Sequence, residues 1–433
     1  MMAVPVVKET TGGRRRSSLT GAFTPPSLPP VSRGAFRFHL AHNLLYAVFE
    51  GITGNVPLIA VKAMNATDAQ LQLPLAMTSL GLFASVFLGA FMATRRKKPF
   101  VLVPGFAAGL TALAMTWTTS AIWFLAFAGV ISILDFAMRP AVPSIVRSVY
   151  PDGCRSHLAG TMRQWSSIVF LAATLSSSIL LSLAEKNIYL VIRLEIATAG
   201  VACLGAFLCF WRLPVRGDGS EAEAEPAPEP SFTYATLSPL LDRRFRRYLV
   251  AFFVFSFGNL FQQGVVPAFF SHNMSLGYVQ STLLIHIIPN LAAFLSGGRL
   301  TAWFETATIW RSYALVTLLW GLDPLILSIA GASLTLVVCG RIARGPATLG
   351  SMVIAFFTGV HSFAKPGGNT TRYMAAFFLV NGVARLVAPS AAAFALTFLS
   401  RQSILLYGAL AIIVSSAMFW WNDKRESRKE CAP

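Results

Sequence analysis

The chain has 433 residues, of which 55% are hydrophobic and 12% charged, with a mean hydropathy of +0.61 and a formal net charge of +17. This composition excludes an ordinary soluble domain, and the long apolar runs exclude the short alternating segments of a transmembrane β-barrel. The basic surplus is spread over short loops between those runs rather than over one face of a soluble module, which excludes nucleic acid as a partner and leaves a polytopic membrane protein in contact with the lipid bilayer.

In chain order, residues 1–36 are expected to be a disordered, basic cytoplasmic tail. Arg14-Arg15-Arg16-Ser17 is followed by GAFTPPSLPP and not by an apolar stretch, so a signal peptide is not expected. Twelve apolar runs follow, at 37–60, 71–93, 99–118, 121–146, 158–183, 188–211, 248–270, 277–301, 309–330, 333–361, 371–399 and 402–421. Each is long enough for a helix to cross a bilayer, which takes about 20 residues. The segment 212–247 contains GDGSEAEAEPAPEPS, a composition that cannot bury a core. It is expected to be a cytoplasmic linker between six-helix halves at 37–211 and 248–421, with a second cytoplasmic tail at 422–433. The cysteines Cys154, Cys203, Cys209, Cys339 and Cys431 form no CxxC, and neither a disulfide framework nor a metal site is expected.

Of the 35 Lys and Arg residues, 26 lie at or beyond the ends of the runs on the side of the N-terminus. Three, Lys62, Lys186 and Arg401, lie on the opposite side, and six lie within runs. The bias makes both termini cytoplasmic. The first and seventh runs align without gaps at an offset of 210, pairing Arg37 with Arg247, Gly54 with Gly264, Val56 with Val266 and Pro57 with Pro267. Two parallel six-helix repeats are the pattern of a secondary transporter with its binding site near the midplane.

Three stretches carry a family resemblance: Pro140-Ala141-Val142-Pro143 with Tyr150-Pro151-Asp152-Gly153-Cys154-Arg155; Pro366-Gly367-Gly368-Asn369; and the loop signature Gly89-Ala90-Phe91-Met92-Ala93-Thr94-Arg95-Arg96-Lys97-Lys98. With these the chain resembles the major facilitator superfamily over nearly all of 36–421. The resemblance implies an all-α membrane protein with twelve transmembrane helices in two pseudo-repeats. The first, second, fourth and fifth helices of each half would line the cavity, and the third and sixth would lie outside. It also implies a gate at Gly89, Arg95, Arg96, Lys97 and Lys98. The sequence departs from the pattern where the family's gate carboxylate would stand, at Ala93 and Ala302, and lacks the GPxxGG of proton-driven drug antiporters, showing Ala172-Ala173-Thr174-Leu175-Ser176-Ser177-Ser178 instead. The expected location is the bacterial inner (plasma) membrane.

Charges inside apolar runs are costly and tend to face the bundle interior or a wet cavity. Glu50, followed by Gly51, Gly54 and Asn55, is the candidate proton-coupling carboxylate; its alternative is a structural hydrogen bond to a neighbouring helix. Asp135 and Arg139, at i,i+4, can satisfy each other on one helix face. Arg344 and Arg385 have no partner within a turn of their own helices and are the leading candidates for substrate contact. Arg341 and Arg163 rank behind them, the latter within reach of the cytoplasmic interface. Asn259, Gln262 and Gln263 form an amide stripe on the seventh run; His286 and Asn290 on the eighth and Asn381 on the eleventh extend the polar set. His39 and His42 are expected at the interface, and Asp323, Arg193 and Glu195, on outer helices, are expected to be structural.

The arginines outnumber the acids in this set, and guanidinium groups bind carboxylate or phosphate bidentately. The expected function is secondary active transport, by alternating access, of a small, anionic organic solute, with protons as the coupling ion. The alternatives are an exporter of amphipathic or drug-like compounds and a transport-inactive membrane sensor or assembly partner. No catalytic cluster or nucleotide loop is present, so no enzyme, catalytic residue, cofactor or metal is expected, and the protein is expected to be a monomer.

Overall fold

A computed structural model describes residues 30–92, 95–150, 152–184, 186–214, 238–353, 359–363 and 370–430. These residues form helices joined by turns, with no strand among them. Residues 1–29, most of the expected linker (215–237) and Ala93 of the loop signature lie outside the described residues.

The first six apolar runs fold as α1 (Pro30–Thr53) with α2 (Val56–Met64), α3 (Leu73–Met92), α4 (Pro99–Met115), α5 (Ala121–Met138) with α6 (Ala141–Val149), α7 (Asp152–Leu183) and α8 (Ile188–Trp211). The other six fold as α9 (Arg243–Gln263) with α10 (Val266–Ala268), α11 (Tyr278–Thr282) leading through a π-helical turn into α12 (Ile288–Thr306), α13 (Ile309–Ala330), α14 (Leu334–Val353), α15 (Thr370–Ala395) and α16 (Arg401–Glu430). Ten of the described helices are long and apolar enough to cross a membrane. The remaining two runs give α4, a shorter apolar helix, and α14, whose Arg341 and Arg344 lower its hydropathy.

The shared G-x-V-P motif has a direct structural counterpart. α1 ends at Thr53 and α2 restarts at Val56; α9 ends at Gln263 and α10 restarts at Val266, the same two positions at the offset of 210. A proline lacks the N–H for an i→i−4 bond and its ring crowds that carbonyl, so Pro57 and Pro267 each end the helix four residues upstream. Pro140 separates α5 from α6 in the same way.

Helix packing also repeats. α1 packs on α7 and α8, α3 on α5, and α4 on α5 and α8; correspondingly α9 packs on α15 and α16, α12 on α14, and α13 on α14 and α16. The largest buried apolar cluster gathers the first six runs, and a second gathers Phe245, Tyr248, Trp310, Tyr313, Phe377 and Phe419. Across the divide, α3 packs on α15 and α7 on α11. Leu183, Val103, Phe294, Phe394 and Trp421 lie exposed on the outer surface, as suits a lipid-facing wall.

Helix ends differ from the sequence reading at several places, the first and last helices among them. α1 begins at Pro30 rather than 37, and α16 continues to Glu430 instead of giving way to a tail at 422. The extension is held by charge pairs: Arg244 to Glu426 at 2.9 Å, Arg311 to Asp423 at 2.7 Å, and the Trp310 indole donating to Glu426 at 2.7 Å. Asp242 caps α9 by accepting from the Arg244 and Phe245 amides.

Candidate functional site

The second set of helices encloses a pocket of about 320 Å³ lined by Asn259 and Gln263 of α9, Asn290 of α12, Trp320 of α13, Arg344 of α14 and Arg385 of α15, among others. Five of these six residues are candidates from the sequence. α12 and α14 meet closely behind the pocket: a Cβ on Gly345 would lie 2.5 Å from the Pro289 carbonyl oxygen, so only glycine allows this approach. Asn290 lines the pocket while its amide donates back to the His286 carbonyl at 2.7 Å.

Asp323 reorganises the reading of the arginines. It sits on α13, where an outer helix suggested a structural role, and it is fully buried with its carboxylate 3.0 Å from Arg344 and 3.2 Å from Arg341. Arg344 donates a hydrogen bond to it; the Arg341 contact is an ion pair without hydrogen-bond alignment. Arg344 therefore has its partner on the neighbouring helix, because even an outer helix has one face turned inward. Arg341 is buried against Phe270, its guanidinium carbon 5.2 Å from the ring centre, and is not among the pocket residues. Asp323 also lowers the positive surplus counted from the sequence by one.

The Arg344 guanidinium stacks 4.8 Å from the Trp320 ring, and the indole N–H donates to Asn259 Oδ1 at 2.7 Å. Asn259, Trp320, Arg344 and Asp323 thus form one connected polar wall. Arg385 lines the same pocket, 5.2 Å from the Phe136 ring of α5, with Nε lacking a hydrogen-bond partner among the described residues. It is the pocket's uncommitted cation.

The amide stripe divides. Asn259 and Gln263 face the pocket, while buried Gln262 turns to α16, where its side chain would crowd a Cβ on Gly408 at 2.8 Å. At 3.6 residues per turn, Gln262 and Gln263 are separated by about 100° around the helix, so they cannot share one narrow face. Asn381 accepts from Ser256 at 2.9 Å, and His286 packs edge-on to Phe170 at 5.8 Å beside Gly54; neither is a pocket residue.

The first set presents a different cluster. Glu50 is exposed in the last turn of α1, just before the break, on a helix pressed so closely to α7 that a Cβ on Gly51 would lie 2.8 Å from the Phe170 carbonyl oxygen. Asp135, Arg163 and Arg139 are its electrostatic neighbours. Arg139 donates twice to Asp135, at 2.6 and 3.1 Å, as the i,i+4 spacing requires, and the Tyr46 hydroxyl donates to the other carboxylate oxygen at 2.8 Å. The Arg139 guanidinium also lies 3.9 Å from the Phe136 ring. Phe136 is therefore shared by one arginine from each set, which joins the acidic cluster to the cationic pocket.

Polar contacts between the sets gather at the end where α1 and α9 break. Asn55 donates to the Thr174 carbonyl at 3.0 Å and to Ser177 and Ser178 at 3.1 Å, and accepts from Thr282 at 3.0 Å. Ser177 donates onward to buried Glu195 at 2.7 Å. Lys62 donates to the Leu276 carbonyl, and Arg401 pairs with Asp68 at 2.7 Å.

At the other end, His39 is buried and bonds to the Tyr150 hydroxyl at 3.2 Å. Of the loop signature, Gly89 lies within α3, and Arg95 and Arg96 are exposed, Arg95 over the Phe91 ring at 4.0 Å. Lys98 donates to the Trp211 and Leu213 carbonyls at 2.7 and 2.9 Å, holding the C-terminus of α8. Lys97 is half-buried beside it.

Sequence reasoning missed Asp323, Trp320 and Thr282. The signal for Asp323 was present: two arginines on one apolar run need an acid, and Asp323 is on the run just before them. Nothing comparable marks Thr282.

The family model "Major Facilitator Superfamily" matches residues 38–389, and the chain belongs to that family of transporters. It is a multi-pass membrane transporter and not an enzyme. Its fold is similar to that of the nucleoside transporter NupG (15% identity, 92% of this chain and 100% of that one, TM-score 0.65). It is also similar to a POT family transporter in complex with a thioalcohol conjugated peptide (12%, 94% and 99%, 0.70) and to a bacterial homolog of the human lysosomal transporter Spinster (14%, 92% and 96%, 0.59). At these identities the likeness carries the fold alone. Among curated protein sequences, none matches the chain.

Proposed function

We propose that the protein is a secondary active transporter of a small organic anion. Twelve crossings, two six-helix halves and cytoplasmic termini complete the reading, supported by the repeated packing and the basic bias of one side. The observation that carries the substrate class is Arg385, a cation without a carboxylate partner among the described residues, lining the same small pocket as the Arg344–Trp320–Asn259 wall. Asp323 neutralises part of the charge of Arg341 and Arg344, so Arg385 is the guanidinium free to hold an incoming carboxylate or phosphate bidentately. Asn259, Gln263 and Asn290 supply neutral donors and acceptors to orient the rest of the solute. A volume near 320 Å³ is at the small end of ligand pockets.

With both termini cytoplasmic, the Asn55–Thr282 contacts close the outer end, and this conformation is the one in which solute exchanges with the cytoplasm. Opening the outer end requires that network to part as the halves rock. Glu50 is the proton carrier in this reading. It faces the cleft beside Asp135, Arg139 and Arg163, so a change in its charge acts on the pair that shares Phe136 with Arg385.

The test is uptake of labelled organic acids into proteoliposomes with and without a proton gradient. Gradient-driven uptake of an anion, lost in Arg385→Gln, is expected, with Glu50→Gln still exchanging solute but no longer accumulating it. Uptake of cationic or neutral amphipathic compounds in place of anions would instead support the exporter reading.

A further inference from the structure

On the outside of the bundle, at the basic end of α9 and α16, a second groove of about 560 Å³ is lined by Arg246, Arg247 and Arg425 above Val250, Met418 and Trp421. Arg246 and Arg425 are exposed and have no carboxylate partner among the described residues. Arg247 is committed to protein oxygens, donating to the Arg243 carbonyl at 3.2 Å and to Asn422 at 3.4 Å. The nearby acid, Glu426, is occupied by Arg244 and the Trp310 indole. The groove floor is apolar and continuous with the lipid-facing wall, where Val250, Val414 and Trp421 are exposed.

We propose that this groove binds an anionic phospholipid, its headgroup phosphate between Arg246 and Arg425 and an acyl chain along Val250, Val414 and Met418. Two unpaired guanidiniums next to bilayer hydrocarbon carry uncompensated charge, and a lipid phosphate supplies the counter-charge at the depth where they sit. A zwitterionic lipid brings its own cation and gains less. A free phosphate fills the upper part of the groove and leaves the apolar floor uncovered, so the shape selects the lipid. α16 thereby holds the lipid on one face while its Asp423 and Glu426 hold α13 and α9 on the other. The site is on the outer surface, separate from the solute pocket.

Native mass spectrometry of the full-length protein released from nanodiscs of equal phosphatidylglycerol and phosphatidylcholine tests this. Wild type is expected to retain phosphatidylglycerol preferentially. The double variant Arg246→Gln, Arg425→Gln is expected to lose that preference by about an order of magnitude or more, since each basic residue near an anionic surface contributes on the order of fivefold. Arg212→Gln, an exposed arginine at the end of α8 off the groove, is expected to keep it. Equal retention of both lipids by wild type would overturn the proposal whatever the variants do. So would equal loss in Arg212→Gln, or displacement of the lipid by millimolar inorganic phosphate. The readout does not depend on which solute is transported.

Discussion

The two halves of this molecule share a backbone plan and differ in chemistry. α1 and α9 break at matching residues, and each half packs its helices in the same pairs. Yet the first half turns toward the cleft a carboxylate-centred cluster of Glu50, Asp135 and Tyr46, and the second an arginine-centred pocket of Arg344 and Arg385. What repeats is set by small residues and prolines, which decide where helices may approach or end. What diverges is carried by side chains that those constraints leave free. In the proposed function this repeated scaffold divides its labour, one half handling the coupling ion and the other the solute.

This division can be broken most severely at Asp323. Asp323→Ala leaves buried Arg341 and half-buried Arg344 beside each other without their acid, and breaking a buried pair costs roughly 3–5 kcal/mol. A large fall in melting temperature is expected in detergent, and full stability would refute the central place given to that carboxylate. Next comes Arg385→Gln. Here the fold is expected to persist while anion affinity falls about tenfold or more, because a hydrogen bond to a charged group contributes about 1.5–3 kcal/mol. Titration calorimetry reads the affinity, and an unchanged melting curve, measured separately, shows the intact fold.

A milder break is Asn55→Ala, which removes contacts to Thr174, Ser177 and Ser178 of α7 and the hydrogen bond that Thr282 of α11 donates across the halves. It is expected to shift the resting population toward the outward-open form, read as faster labelling of a cysteine placed in the outer cleft. Unchanged labelling would mean that Lys62 and Arg401 hold the closure without it. Smallest is Tyr46→Phe, which leaves Asp135 both hydrogen bonds from Arg139 and costs about 1 kcal/mol. A loss as large as that of Asp323→Ala would show that the first half depends on its acid as the second does.

Much of this was legible in the chain. Each apolar run contains described helix, the 210-residue offset pairs the two proline motifs at which α1 and α9 break, and i,i+4 spacing anticipated the Asp135–Arg139 pair. Arg344 and Arg385 stand out as intramembrane charges without a partner within a turn, and Asn259, Gln263 and Asn290 as polar side chains at helical spacing on apolar runs, and all five line one pocket. Facing was not legible. Asp323 looked peripheral because its helix lies outside, and a single sequence does not tell which side of an outer helix turns in. Gln262 was grouped with its neighbours although one residue rotates a side chain by about 100°. The Asn55–Thr282 closure is made of amides and hydroxyls that occur throughout apolar helices, so only the tertiary arrangement distinguishes it. The early end assigned to α16 reflects a different limit: charge marks the edge of a membrane span, not the end of a helix, and Asp423 and Glu426 carry the helix on by pairing with α13 and α9.

The central claim is that the second half holds an anion through Arg385. Thermal-shift measurement of the purified protein against size-matched organic acids, amines and neutral analogues tests it most directly. Stabilisation by acids alone, abolished in Arg385→Gln and retained in Tyr46→Phe, is the predicted result. Equal stabilisation by amines or neutral compounds, or an acid response that survives Arg385→Gln, would contradict it.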